Sequence, residues 1–210
     1  CGGKKNFVSD TGEFCPGEEA HRVTLSEIGE TVDYISSYSR YAFEEKIRQG
    51  FLTIQGGHRV GLCGRTVAED GRVRTISPIT FLNIRIARQI PGCGRRVAPL
   101  LWERGQLCDT LILSPPGLGK TTLLRDIIRL LSDGTGGQAC MVGVVDERSE
   151  LAACCQGIPQ NDLGSRTDVL DGCPKAEGMM MLVRTMAPQV IAVDEVGSEE
   201  DCRAMEYVMN

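Results

Sequence analysis

The chain has 210 residues, of which 41% are hydrophobic and 24% are charged, as in ordinary globular domains. Its net charge of -5 at pH 7 does not favour the nucleic-acid binding that a basic surface drives, and no apolar run has the length of a membrane-spanning helix. The ten cysteines include no Cys-x-x-Cys pair and there are only two histidines, which favours reduced thiols in the cytosol over a metal cluster.

Residues 1–94 are predicted to form a small α+β domain. Thr24-Leu25-Ser26-Glu27 is a capping box, and the apolar residues that follow it at helical spacing predict a helix over 24–36. A second helix is predicted over 41–49, because Gly50 stands where a helix commonly ends. Two helices are therefore expected ahead of the first strand.

Strands make up the rest of this domain. Gly56-Gly57 predicts a tight hairpin between strands at 51–55 and 58–62. Glu69-Asp70-Gly71 marks the turn of a further strand pair. Residues 79–88 alternate between two faces and predict one long strand.

A second domain is predicted over 95–210, after the boundary at Pro91-Gly92-Cys93-Gly94. A helix is expected over 97–104, and the pattern then becomes β-α-β-α-β, with the last helix running from near Pro174 through Met186. The strands are continuously apolar, as in a parallel sheet covered on both faces. They are predicted at 107–113, 140–145 and 189–193.

A phosphate-binding loop is predicted between the first of these strands and the apolar-periodic helix that follows. In such a loop, backbone amides and a helix N-terminus surround phosphate oxygens. The loop consists of Ser114, Pro115, Pro116, Gly117, Leu118, Gly119, Lys120, Thr121 and Thr122. Ser114 stands where the usual Gly-x-x-x-x-Gly-Lys-Ser/Thr pattern has its first glycine, so the start of the loop is expected to differ while its phosphate-contacting half is intact.

A Walker B pattern follows further along the chain, where the apolar strand 189–193 ends in Asp194-Glu195. The aspartate is expected at the carboxyl end of the strand, beside the phosphate loop. ATP with Mg²⁺ is therefore the predicted ligand, with Lys120 at the β and γ phosphates and Thr121 and Asp194 holding the metal. Glu195 is the candidate to orient and deprotonate the attacking water.

A second acidic pattern, Asp146-Glu147-Arg148, ends the strand after the phosphate-loop helix. One interpretation is an ion-pair cluster without a catalytic role. The other is that Glu147 shares the catalytic role with Glu195, since both strand ends can face the γ-phosphate.

Arginine is concentrated between His58 and Arg104, where there are nine arginines, no lysine and three acidic residues. Because arginine suits bidentate phosphate contacts, this segment is either a nucleic-acid surface or a set of arginines that completes a neighbouring subunit's nucleotide site. A solvated, salt-bridged sheet face is the third interpretation and fits most of these residues best.

Several long runs resemble the stage III sporulation AA family of endospore-forming bacteria, over nearly the whole chain. The runs are residues 39–42, 50–61, 83–88, 146–150 and 166–178. That family is similar to the ATPases of type II and type IV secretion systems, in which an N-terminal domain precedes a motor. The resemblance implies an α/β fold: a P-loop, RecA-like or AAA-type parallel-sheet ATPase domain after a small α+β domain.

The resemblance also implies an assembly and a location. The expected oligomer is a homo-hexameric ring, docked through membrane channel proteins of the sporulation apparatus on the cytoplasmic face of the mother-cell membrane. Arg85 and Arg88 are the arginines it places at the nucleotide of the same or a neighbouring subunit. Because losing such an arginine can lower the rate by about 10³- to 10⁵-fold, an isolated subunit is expected to be a poor ATPase.

Two other functions stay open: a nucleic-acid-associated P-loop ATPase, and a scaffold that binds ATP with little turnover. The chain begins at Cys1 and stops at Asn210 within a helical pattern, and it contains fewer predicted parallel strands than RecA-like sheets use. The sequence is therefore expected to be a piece that lacks the C-terminal part of its ATPase domain.

Overall fold

The computed structural model describes residues 23–36, 47 and 50–209. Its contacts divide the chain into two units. Unit 1 comprises Cys1–Ile54 and Arg59–Arg85, and unit 2 comprises Gln55–His58 and Ile86–Asn210. The boundary after Gly94 stays a prediction, and the contacts group residues 86–94 with unit 2.

The helix of unit 1, α1, spans Leu25–Ile35 and confirms the prediction made from the capping box. The Thr24 amide donates to the Glu27 carboxylate at 2.7 Å, and the Glu27 amide donates to the Thr24 hydroxyl at 3.3 Å. These two bonds satisfy amides that the first turn of a helix leaves without partners. The helix predicted over 41–49 lies outside the described residues except at Ile47, which is helical.

The sheet of unit 1 has the order β1-β2-β3, with strands Phe51–Ile54, His58–Glu69 and Arg72–Arg85. β2 and β3 are antiparallel and joined at Asp70-Gly71, which both have positive φ. The strand pair predicted around the turn at Glu69-Asp70-Gly71 is therefore confirmed. The strand expected over 79–88 is the second half of β3, which ends at Arg85. Its predicted alternation does not match burial, because Phe81 and Ile84 on opposite faces are each 52% exposed.

Unit 2 begins with a short 3₁₀ helix, Ala98–Leu101, and a small hairpin of β4, Trp102–Glu103, and β5, Gln106–Leu107. The helix predicted over 97–104 is therefore confirmed only as this 3₁₀ helix at Ala98–Leu101, and it is wrong from Trp102 onward. Trp102 is extended, with φ -109° and ψ 126°, and pairs with Leu107. The positive φ of Arg104 and Gly105 forms the turn that helical spacing of apolar residues does not reveal.

The strand predicted over 107–113 is also wrong, apart from Leu107 in β5. A strand needs a lateral backbone partner, and no strand in the described part of the chain pairs with residues 108–113. Ile112 packs against the core of unit 2, whereas Leu111 and Leu113 are 66% and 82% exposed. Residues 108–113 thus contribute Ile112 to the packing of the core and form no strand of the sheet.

The sheet of unit 2 has the order β7-β6-β8, and both of its pairings are parallel. Its strands are β6, Val142–Asp146, β7, Thr167–Asp171, and β8, Val190–Val193. The strands predicted at 140–145 and 189–193 are confirmed as β6 and β8. The sequence does not predict β7, whose five residues include only two apolar ones, because this half-buried strand lies at an edge of the sheet.

Helices cover both faces of this sheet, as expected from its apolar strands. On one face, α2, Lys120–Asp133, contributes Ile127, Ile128 and Leu131 to a core with Val142 and Val144. On the other face, α3, Lys175–Thr185, and α4, Glu199–Met209, pack with Val145 through Met179, Leu182 and Ala204. The helix predicted from Pro174 through Met186 is confirmed as α3. The predicted α/β class with a parallel sheet holds for unit 2.

Buried polar groups hold the loop that follows β6. The Asp146 carboxylate is 2% exposed and accepts the amides of Glu150 at 2.8 Å and Ala152 at 2.7 Å. Burial raises the pKa of Asp146, and these amide donors oppose the rise. The Arg125 guanidinium of α2 donates to the carbonyls of Glu150 and Leu151 at 2.6 and 2.9 Å. Residues 150–152, shortly after the end of β6, are therefore held by both Asp146 and Arg125.

Packing between α3 and β6 leaves no room for a side chain at Gly178, where an added Cβ would lie 2.5 Å from Cγ1 of Val145. Gly178→Ala should lower the free energy of unfolding of unit 2 by about 1–3 kcal/mol, because Val145 is fully buried and cannot move aside. Urea denaturation followed by the fluorescence of Trp102, the single tryptophan, measures this. Gly197→Ala is the matched control, because an added Cβ there meets nothing within 4 Å. A Gly178→Ala protein as stable as the control would contradict the packing.

Removing the carboxylate that accepts the amides of Glu150 and Ala152 should also destabilise unit 2. Asp146→Ala leaves one buried and one part-buried amide without an acceptor, and each such donor costs roughly 1–3 kcal/mol, so a loss of about 2–4 kcal/mol is expected. The same denaturation experiment tests it. Asp109→Ala, at an exposed aspartate, should stay within about 0.5 kcal/mol of wild type. Equal stability of the two variants would show that this carboxylate does not hold the loop.

Candidate functional site

The candidate site lies at the carboxyl edge of the parallel sheet of unit 2. Val145 of β6 is paired with Val193 of β8, so the acidic residues that follow, Asp146 and Asp194, leave the sheet at the same level. The N-terminus of α2 faces this edge, because Thr121 in its first turn contacts Asp194. The pairing therefore brings three separate segments of the chain together.

The loop before α2 has the backbone that its glycines predict. Gly117 and Gly119 have φ of 78° and 83°, a region that costs a side-chain-bearing residue free energy, whereas Ser114 is not among the residues with positive φ. Gly119 is the N-cap of α2, and Lys120 is its first residue. The serine at the start of the loop is thus accommodated without left-handed strain.

Lys120 lies across this loop. Its ammonium donates to the carbonyls of Ser114 at 3.1 Å and Pro115 at 3.3 Å. Pro116 and Leu118 are exposed at the tip of the loop, and Thr122 is half-buried in the first turn of α2. The lysine is therefore held by the same loop whose amides were predicted to bind phosphate.

Thr121 and Asp194, the two residues predicted to hold a metal, are in direct contact. The Thr121 hydroxyl donates to Oδ2 of Asp194 at 2.9 Å. Burial raises the pKa of Asp194; the hydrogen bond from Thr121 opposes the rise, and the neighbouring Glu195, Glu150 and Asp146 add to it. A carboxylate in this position favours a nearby cation, because a positive charge offsets both the burial and the neighbouring acids.

The two candidate catalytic glutamates each form an ion pair. Glu195 accepts from the Arg148 guanidinium at 2.8 Å, with side chains that are 52% and 63% exposed. Glu147 accepts from the ammonium of Lys175, whose side chain is only 10% exposed. Glu147 and Arg148 of the Asp146-Glu147-Arg148 pattern thus form ion pairs, with Lys175 and Glu195 respectively, as the ion-pair interpretation expects. A catalytic role for Glu147 stays a prediction.

Asp146 does not share the role of Asp194. Both of its carboxylate oxygens accept backbone amides of residues 150 and 152, whereas Asp194 uses one oxygen for Thr121. The two Asp-Glu patterns look alike in the sequence, but one aspartate holds a loop and the other meets the phosphate loop.

A small cleft joins these groups. It is lined by Asp146, Glu147, Arg148, Glu150, Lys175, Asp194 and Glu195. Sequence reasoning did not assign Arg148 or Lys175 to the site. The sequence points to these two residues only weakly. Arg148 directly follows Asp146-Glu147, and Lys175 is the first residue of α3.

A role for Arg85 and Arg88 at the nucleotide of the same or a neighbouring subunit stays a prediction. Arg85 ends β3 in unit 1, and Arg88 lies in the exposed segment that follows it in the chain. The residues that line the cleft come from 146–150, 175 and 194–195.

Among the helices of the described residues, none has the length and apolar character needed to cross a bilayer.

Comparison with known proteins gives relatives from bacteria and from plastid-bearing organisms. The chain is 51% identical over 172 residues to stage III sporulation protein AA of Bacillus subtilis, which covers 81% of this chain and 56% of the relative. It is 31% identical over 128 residues to the uncharacterized protein ycf45 of Cyanidium caldarium, covering 60% of this chain and 36% of that protein. It is 29% identical over 125 residues to the protein SEEDLING PLASTID DEVELOPMENT 1 of Arabidopsis thaliana, covering 59% and 17%.

The chain thus spans little more than half the length of its Bacillus relative, and less of the other two. No solved structure gives a significant match. A family model described as sporulation stage III, protein AA matches residues 7–210, which is nearly the whole chain. The chain therefore belongs to the sporulation stage III protein AA family.

Proposed function

We propose that unit 2 binds ATP with Mg²⁺ and hydrolyses it, as a P-loop ATPase domain of the RecA-like or AAA type. The observation that carries this proposal is the 2.9 Å hydrogen bond between the Thr121 hydroxyl and the Asp194 carboxylate. It joins the residue after the loop lysine to the aspartate at the end of the Walker B strand. Two patterns that are far apart in the sequence thus supply the two oxygen groups of one site.

The chemistry of these residues fits the proposed ligands. Mg²⁺ prefers hard oxygen ligands, and a threonine hydroxyl with a half-buried carboxylate provides them. The N-terminus of α2 presents backbone amides to an anion, and Gly117 and Gly119 have the backbone conformation of a loop that curves around phosphate. Lys120 would leave the carbonyls of Ser114 and Pro115 for phosphate oxygens, because a charge-assisted bond to an anion is stronger than one to a carbonyl.

Thr121 and Asp194 would hold Mg²⁺, which would supply positive charge against the charge that develops on the phosphates. Lys120 would neutralise charge at the β and γ phosphates, and the α2 amides would orient the phosphate chain. Glu195 or Glu147 would accept a proton from the attacking water, for which the carboxylate must be ionised and free of its basic partner. Each glutamate therefore has to leave an ion pair before it can act.

We further propose that this activity serves sporulation, as the name of the Bacillus subtilis relative suggests. In this proposal the protein is a motor subunit of a homo-hexameric ring on the cytoplasmic face of the mother-cell membrane, where it meets channel proteins. Arg85 and Arg88 would complete a nucleotide site in the ring. Nucleic acid is not a favoured partner, because the net charge is -5 and acidic residues predominate in the cleft.

Loss of the loop lysine should weaken nucleotide binding. Lys120→Ala is expected to lower the affinity for Mg-ATP by about 10- to 100-fold, because a charge-assisted hydrogen bond is worth roughly 1.5–3 kcal/mol. Titration of the full chain with a fluorescent ATP analogue measures this. Arg203→Ala is the control, since it removes an exposed cation that pairs with Glu199 on α4. Equal affinity of wild type and Lys120→Ala would remove the phosphate loop from the proposal.

Neutralising the catalytic base should stop turnover without loss of binding. Glu195→Gln is expected to slow hydrolysis by about 10²- to 10⁴-fold while Mg-ATP still binds, because the amide cannot accept the proton. Phosphate release at saturating Mg-ATP, over a range of protein concentration, measures the rate, with exposed Glu199→Gln as the control.

Glu147→Gln in the same assay separates the two acids. A loss in Glu147→Gln alone would move the base to Glu147, and unchanged hydrolysis in both variants would contradict both assignments. A wild-type chain that binds Mg-ATP at any concentration without turnover would favour the scaffold function.

A further inference from the structure

Arg148 is one of the two basic groups of the cleft, with Lys175, to which the proposed mechanism gives no role in binding nucleotide. Its guanidinium bonds the carboxylate of Glu195 at 2.8 Å, beside Asp194 and within the same cleft. The pair joins the loop after β6 to the residue after the Walker B aspartate. It therefore links a basic side chain directly to the carboxylate proposed as the base.

The backbone around both partners is constrained. Arg148 lies between the end of β6 and residues 150–152, which are held by the buried Asp146 carboxylate and by Arg125. Glu195 has φ of 52°, a left-handed conformation that glutamate seldom adopts and that persists only where the surroundings impose it. The two side chains are more than half exposed and are the part of the pair that moves most readily.

The pair itself is weak enough to be exchanged. Its side chains are more than half exposed, and ion pairs of this kind contribute little because solvent screens them. A phosphate group offers a guanidinium two oxygens and more charge than a carboxylate, in the planar geometry that arginine matches. A terminal phosphate close to this cleft would thus displace Glu195 from Arg148.

We propose that Arg148 is a positioning residue that distinguishes nucleoside triphosphate from diphosphate. Arg148 holds Glu195 in an ion pair until the terminal phosphate of the triphosphate takes the guanidinium, and the carboxylate is then free to act on water. A diphosphate lacks that phosphate and leaves the pair closed. This inference rests on the proposed ATP site and identifies the residue that distinguishes triphosphate from diphosphate there.

Binding measurements test this proposal with a readout other than the rate of hydrolysis. Mg-ATP and Mg-ADP are titrated against the full chain, with Arg203→Ala as the matched control for loss of an exposed, glutamate-paired arginine. Arg148→Ala should lower the affinity for Mg-ATP by about 10- to 100-fold and leave that for Mg-ADP within about twofold. Arg148→Lys should restore only part of the difference, because an ammonium is a point charge without the bidentate fork.

A variant of Glu195, the residue paired with Arg148, provides an independent test. Glu195→Gln frees the guanidinium and should tighten Mg-ATP binding by about two- to fivefold, the usual strength of an exposed pair. That gain should disappear in the Arg148→Ala/Glu195→Gln double variant. Equal effects of Arg148→Ala on Mg-ATP and Mg-ADP, or a gain that survives in the double variant, would overturn the role of Arg148. Wild-type binding that does not depend on Lys120 would instead overturn the ATP site itself.

Discussion

The parallel pairing of β6 with β8 is the constraint on which the candidate site depends. Because Val145 and Val193 are paired, the residues that follow them leave the sheet together, and two acidic patterns meet at one edge. A shift of one residue in this register would turn one strand's side chains to the opposite face of the sheet. The buried valines of β6 pack against helices on both faces and support this register, together with hydrogen bonds between Met141 and Gln189 at the start of the two strands.

This arrangement concentrates negative charge, and the charge explains what the site requires. The cleft is lined by five carboxylates and two basic residues, a formal charge of -3 when all are ionised. A nucleotide would add further negative charge, so the site can accept one only together with cations. In the proposed ATP site, Lys120 and a divalent metal at Thr121 and Asp194 would supply part of that compensation. Burial is the main cause of the raised pKa of Asp194, and the neighbouring acids Glu195, Glu150 and Asp146 add to it.

Features that depend on neighbouring residues in the chain could be predicted from the sequence. The capping box gives α1, the glycines give the loop and the start of α2, and continuous apolar runs give β6 and β8. Features that depend on distant partners could not. Residues 108–113 are apolar enough for a strand, but membership of a sheet requires a strand beside them, and β7 pairs with β6 despite a composition that is half polar. Thr121 and Asp194 were correctly expected together because a known pattern links them, whereas nothing in the sequence states that Arg148 reaches Glu195.

The two glutamates of the site are not equivalent, and their partners decide the difference. Lys175 is nearly buried, so separating it from Glu147 would leave a charge that water cannot readily solvate. Arg148 and Glu195 are both largely exposed, so each charge is solvated when they separate. The backbone of Glu195 has a left-handed φ of 52°, and its side chain lines the cleft. Of the two acids, Glu195 is therefore the one that can move between a paired and a free state at small cost in free energy, which is what a base controlled by its substrate requires.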